Sequence, residues 1–177
     1  MGLIFFILVN QFINKIYKKS INKQVFFILF ILDLYTLYSK DYFFCTLAYI
    51  LLFHSITDII NYDVYSILNY ILMIISFLKY KTISISILIP IILAIINVFK
   101  KGIGQGDIEL LFGLSFIFEF YDLVLIVFIA SILNLIYSLF SKNKLFPFVP
   151  FLSIATMIIY LFTYFIGEIH LFYDKIL

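Results

Sequence analysis

The residues with the clearest chemical potential in this chain are two aspartates and a run of glycines. Gly102-Ile-Gly-Gln-Gly-Asp107 sets glycine at alternate positions and ends on a carboxylate, concentrating Gly102, Gly104 and Gly106 in a chain with only six glycines. A second carboxylate, Asp58, closes the run His54-Ser-Ile-Thr-Asp58 at the end of a long apolar stretch. Two carboxylates brought close do not both ionise easily, so the pair shares a proton. One then activates a water molecule while the other protonates a carbonyl oxygen or a leaving amine. The glycines fit the same chemistry. They let the backbone approach a bound peptide, and they are free to take positive φ in the turn that aims Asp107.

Each residue also has a plainer reading. Asp58, at the cytoplasmic end of an apolar helix, reads alone as a charge tolerated at the interface. Asp107 follows Gly106 and precedes a new apolar run, which is also an N-cap position. Asp63 reads as an N-cap or loop residue. Glu109, two residues beyond Asp107, points elsewhere on a helix. His54 is one helical turn before Asp58, within hydrogen-bonding range, and reads as an interfacial histidine. What favours function is the pairing, because ionisable groups at membrane depth are costly and face a cavity or each other.

The positioning elements follow from composition. The 177 residues are 65% hydrophobic and 12% charged, with a mean hydropathy of +1.17. A soluble domain is about half apolar and about a quarter charged, so lipid is the expected solvent. A net charge of +2 without a basic stripe argues against a nucleic-acid partner. One cysteine, Cys45, and two isolated histidines, His54 and His170, offer no disulfide and no zinc cluster. No metal and no cofactor are expected.

Lysines and turn residues cut the chain into apolar segments at about Gly2–Ile13, Gln24–Tyr38, Tyr42–Thr57, Val64–Leu78, Thr82–Phe99, Ile108–Phe118, Leu123–Phe140 and Phe146–Ile166. This predicts an all-α, polytopic transmembrane helical bundle of seven or eight spans, forming a single integral-membrane domain over residues 1–177 with its core at 40–166. Gly2–Ile13 is short for a crossing and is expected to remain, since positive charge follows it rather than precedes it. Pro90, mid-segment, predicts a kink. The tail Gly167–Leu177 reads as interfacial. Lys15, Lys18, Lys19, Lys23, Lys100, Lys101, Lys142 and Lys144 fall on alternate loops and outnumber Lys40, Lys79, Lys81 and Lys175 on the others. The positive-inside rule puts the first set in the cytoplasm. Asp58, Asp63, Asp107 and Glu109 then gather at that face.

The segment Gly102-Ile-Gly-Gln-Gly-Asp107-Ile-Glu-Leu-Leu resembles the Gly-x-Gly-Asp motif of the type IV prepilin peptidases. Asp58-Ile-Ile-Asn-Tyr-Asp-Val-Tyr-Ser66 resembles that family's first aspartate motif, an Asp followed some seven residues later by Pro-Asn. Phe146-Pro147-Phe-Val-Pro150-Phe-Leu152 resembles its late Ile-Pro-Phe-Gly-Pro-Phe-Leu signature. The resemblance runs from about Lys40 to Ile166. It implies an intramembrane aspartyl protease of bacterial inner membranes, with Asp58 and Asp107 catalytic and Gly102, Gly104, Gly106, Pro147 and Pro150 shaping the site. The implied substrate is a prepilin or pseudopilin with a short basic leader and an apolar helix, cut at the cytoplasmic face. Longer members also methylate the new N-terminus, using a cysteine-bearing domain between the first two spans. Lys15–Lys23 is too short for that domain. Tyr65-Ser66 stands where Pro-Asn is usual, Glu109 where a lysine is usual, and Val149 where a glycine is usual; none of these departures removes a catalytic carboxylate. A more acidic site, through Glu109, is expected to raise the pKa of the pair.

Two other readings stay open at this stage. A transporter or channel also uses membrane carboxylates, although the acids here cluster at one face. A non-catalytic relative would bind pilins without cutting them.

Overall fold

A chain this apolar satisfies its backbone most completely in helices, where every interior N–H finds a carbonyl in its own segment. The computed structural model describes residues 2–18, 23–81, 83–100, 102–141 and 147–173, and no strand occurs among them. The elements are α1 (Gly2–Tyr17), α2 (Lys23–Ser39), α3 (Tyr42–Asn61), α4 (Ser66–Tyr80), a 3-10 turn (Ile85–Ile87) leading into α5 (Leu88–Lys100), α6 (Gln105–Ser115), α7 (Phe120–Phe140) and α8 (Val149–Tyr173). Of the lysines used for orientation, Lys19, Lys101, Lys142, Lys144 and Lys175 lie outside the described residues, as do Phe146, Asp174 and the end of the tail.

The all-helical class is as expected. Among the described residues, two helices, Tyr42–Asn61 and Phe120–Phe140, are long and apolar enough to cross a bilayer, while Ser66–Tyr80, Ile85–Lys100 and the Val149–Thr163 part of α8 are shorter apolar stretches. One local expectation changes, and two features are added. Pro90 is not mid-span but the third residue of α5. In a first turn its missing N–H has no helical partner to lose, so no kink is required. Residues 167–173 of the tail continue α8, which runs to Tyr173. Asp33, which the segmentation passed over, lies midway along α2 and accepts a 2.5 Å hydrogen bond from Tyr49 on α3.

The chain divides into two compact units, Met1–Val64 and Tyr65–Leu177. In the first, α1, α2 and α3 pack on one another around the fully buried Ile13, Leu29, Leu47 and Leu51. Phe5 stacks on Tyr49 at 4.6 Å between ring centres. Asp41 starts α3 as its N-cap, accepting from the Phe44 N–H at 3.1 Å.

In the second unit α6 packs on both α4 and α5, α7 pairs with α8, and the 3-10 turn touches α5, α6 and α7. The Ser86 hydroxyl of that turn donates to the Ser115 carbonyl at the end of α6, at 2.7 Å. The buried positions of α4 are Asn69, Leu72 and Ser76, a single helical stripe. Against it lies Gly113 of α6. A Cβ there would come within 3.0 Å of Leu72 Cδ2 and 3.2 Å of its Cγ. Small residues at such a contact let two helices approach closely.

This contact predicts a stability effect. Gly113→Val forces Leu72 aside and is expected to cost about 1–3 kcal/mol. Leu72→Ala in the same chain should recover part of that loss, and thermal unfolding of the single and double variants in detergent measures the coupling.

Candidate active site

The glycine turn joins α5 to α6 within the second unit. Its N-cap is Gly104, at φ −61° and ψ 134°, followed by Gln105, Gly106 and Asp107 as the first three residues of α6. Asp107 is therefore in the first helical turn and is not the N-cap. Nor do the glycines supply positive φ, since none of the described glycines has it. What the turn needs from Gly104 is the absence of a side chain. A Cβ on Gly104 would lie 2.9 Å from Asp107 Oδ2 and 3.4 Å from its Cγ. The carboxylate thus folds back over the N-cap residue, where the third-position acid of a capping box lies, at the positive end of the α6 dipole. Gly102 has no such contact, because the nearest atom to its Cβ position is the Lys100 carbonyl oxygen at 4.0 Å.

Two asparagines pin the turn. The Ile103 N–H donates to Asn97 Oδ1 of α5 at 3.0 Å. Asn69 Nδ2 of α4 donates to the Gly106 carbonyl at 3.2 Å. Sequence reasoning passed over both, although a polar amide inside an apolar helix is the signal that finds them. Glu109 is buried. Gln105 Nε2 donates to its Oε1 at 3.1 Å, and its Oε2 has no hydrogen-bond partner among the described residues.

Asp58 belongs to the first unit and is only 6% exposed. It does not end its helix. α3 continues to Asn61 and closes on Tyr62, in the left-handed region at φ 60°, whose N–H donates to the Asp58 carbonyl at 2.9 Å. His54, Ser55 and Thr57 are buried beside it on α3. The interfacial reading of His54 gives way to full enclosure, with its ring edge-on to Phe53 at 6.1 Å. Asp63 is an exposed loop residue that accepts from the Tyr17 hydroxyl at 2.9 Å and from Asn61 Nδ2 at 3.3 Å. It is not an N-cap, because Tyr65 holds that position before α4.

Pro147 precedes α8, and Pro150 is its second residue. A proline there sacrifices no helical hydrogen bond. Gly102, Gly104, Gly106 and Asp107 come together in one turn, and the two prolines mark a different helix start. A cavity of about 860 Å³ is lined by Tyr80, Phe118, Glu119, Asp122 and Tyr160 among others, at the far end of α6 from Asp107. Its two acids sit at the N-terminus of α7, where the helix dipole favours them.

Glu109 yields a test of its surroundings. A buried oxygen without a partner costs free energy that an apolar side chain of similar length avoids. Glu109→Met is expected to raise the unfolding temperature, by about 2–4 °C for each kcal/mol regained. A thermal melt of the purified protein reads this directly.

Comparison with known proteins comes down to one match. No curated protein and no solved structure matches the chain. The family model described as the type IV leader peptidase family matches residues 24–139, a stretch that includes Asp58, the glycine turn and Asp107. That match covers most of the sequence and agrees with the resemblance carried by the two aspartate motifs, so the chain belongs to the type IV leader peptidase family.

Proposed function

We propose that this chain is an intramembrane aspartyl endopeptidase that removes the short basic leader of prepilins or pseudopilins at the cytoplasmic face of the inner membrane. Asp58 and Asp107 act as the dyad. The observation that carries the reading is the seat of Asp107, a carboxylate held against bare Gly104 backbone at the mouth of a helix. The burial of Asp58 on α3, in a chain of only ten acidic residues, supports it.

The chemistry needs only the two carboxyl groups. In the shared-proton state, the ionised carboxylate takes a proton from water as the oxygen attacks the scissile carbonyl. The protonated partner gives its proton to the carbonyl oxygen, so no full negative charge builds up there. Collapse of the tetrahedral intermediate returns a proton to the leaving amine, and the pair regains its starting state. The proton belongs to the pair, so neither aspartate is the acid or the base on its own. The leader's basic residues are attracted to the acidic face, the substrate's apolar helix enters from the bilayer, and seven or eight spans enclose the site. The short Lys15–Lys23 connection has no room for the cysteine-bearing domain that longer members carry there, so leader cleavage is the activity proposed.

The decisive experiment co-expresses the chain with prepilin-like substrates and follows leader loss by gel shift. Wild type is expected to cleave, while Asp58→Asn and Asp107→Asn insert normally and fall to background. Cleavage retained in either variant ends the dyad reading, and a wild type inactive on several substrates leaves a non-catalytic pilin binder. The Gly104 contact adds a graded test. Gly104→Ala pushes the Asp107 carboxylate aside without unpacking a helix. A displacement of about 1 Å costs on the order of a hundredfold in rate, so initial rates should fall by about that factor with the melting temperature near that of wild type.

A further inference from the structure

Asn69 sits in a stripe of buried residues on α4 and is completely enclosed. Its side chain is half used. Nδ2 donates to the Gly106 carbonyl, while Oδ1, equally buried, has no hydrogen-bond partner among the described residues. The orientation of the amide follows from this contact, because a flipped amide would put two acceptor oxygens face to face. Stability alone does not explain such a residue. The Gly106 carbonyl lies in the first turn of α6 and by helix geometry already accepts the N–H four residues on, so without Asn69 it would not be orphaned. Meanwhile Asn69 carries an unsatisfied buried acceptor, which an apolar side chain of the same shape would remove. A group kept at a cost to folding points to a requirement elsewhere.

That requirement is the residue joined to Gly106. Gly106 is bonded directly to Asp107, and the bond from Asn69 ties their shared stretch of backbone to α4. The opposite side of the turn is already held by Asn97 through Ile103. With both ties the turn is fixed from two helices. With Asn97 alone, the hydrogen-bonded ties to the turn come from one helix, and the Gly106–Asp107 backbone loses its bond to α4.

We propose that Asn69 is a positioning residue for Asp107, holding the first turn of α6 through the Gly106 carbonyl so that the carboxylate stays seated over Gly104. This rests on the peptidase reading for its kinetic consequence, but not for its geometric one.

The test compares Asn69→Leu with Ser76→Ala. Ser76 lies on the same buried stripe of α4, and among the described residues its buried hydroxyl has no hydrogen-bond partner and makes no bond to the turn. In leader cleavage Asn69→Leu is expected to lower kcat by about tenfold or more with KM within about twofold, because substrate still binds while the reacting group is misplaced. Its melting temperature should equal or exceed that of wild type. Ser76→Ala should leave kcat unchanged. Wild-type kcat in Asn69→Leu, or an equal loss in Ser76→Ala, overturns the proposal; should Asn69→Leu fail to fold, Asn69→Ala takes its place.

A second arm is independent of catalysis. The thiol introduced by Asp107→Cys, in a Cys45→Ser background, is titrated with a methanethiosulfonate reagent. Adding Asn69→Leu is expected to change its reaction rate severalfold, and adding Ser76→Ala to leave it unaltered. If wild type cleaves no leader, the peptidase reading falls while a changed thiol rate sustains the positioning role. An unchanged rate overturns it.

Discussion

The close approach of α4 to α6 is the contact on which the glycine turn depends. Leu72 fits against Gly113 at a distance that admits no side chain, and this brings Asn69 within reach of the Gly106 carbonyl. The same approach sets where α6 begins, because the first residues of a helix follow the axis that its body packs along. Asp107 is the third residue of that helix. Its carboxylate is therefore aimed by a packing contact two turns away as much as by the glycines beside it. The energy sits in dispersion between Leu72 and the α6 backbone, and the precision comes from the hydrogen bonds at the two ends, Asn69 to Gly106 and Ser86 to Ser115.

The interior is mostly apolar, as in a water-soluble fold, but it also holds several polar residues and the surface is apolar too. Asn69, Ser76, Ser86, Ser115 and Thr156 are buried, whereas Ile67, Val98, Phe128 and Leu139 are well exposed. In water such a surface would aggregate. In lipid it is the expected solution, because apolar side chains gain little by leaving an apolar solvent and helix association falls to close packing and internal hydrogen bonds. Many of the buried hydroxyls bond their own helix, as in Ser55 to the Leu51 carbonyl, Ser153 to Val149 and Thr156 to Leu152. Asn69, Ser86 and Tyr49 instead bond across elements, and each of these three bonds joins a pair that packs together: α4 to α6, the 3-10 turn to α6, and α3 to α2.

How much of this could be read from the sequence follows from what each signal measures. Hydropathy marks where a chain is apolar, so the helical class and the approximate segments were legible. It does not mark where a helix ends, which depends on local backbone energies. Tyr62 and Lys81 close α3 and α4 in the left-handed region, a conformation that disfavours both residue types, so no glycine or asparagine announced these ends. For that reason α3 runs past Asp58, where the apolar pattern alone stopped it. The glycine turn was legible as a special place, but the reason was not. Positive φ was the natural expectation for glycines in a turn, while the structure uses Gly104 for its bare α-carbon. Sequence spacing cannot separate these two uses, because both ask only for glycine. Charge does not mark Asn69 or Asn97, because neither carries any.

Glu109 shows how a departure from a family pattern can be absorbed locally. A lysine at this position would bring three donors and a positive charge. The glutamate brings acceptors instead, and a buried acceptor needs a donor nearby. Gln105, one helical turn earlier on α6, supplies it through Nε2, in the four-residue spacing that lets helix side chains meet. Gln105 belongs to the Gly-Ile-Gly-Gln-Gly-Asp run itself, so the residue between the two essential-looking glycines is not a neutral spacer. Its amide answers the substitution at 109 and turns that carboxylate along α6. The acid that made the site look more negative in sequence is enclosed and partly satisfied within its own helix, while Asp107 at the start of that helix is half-buried.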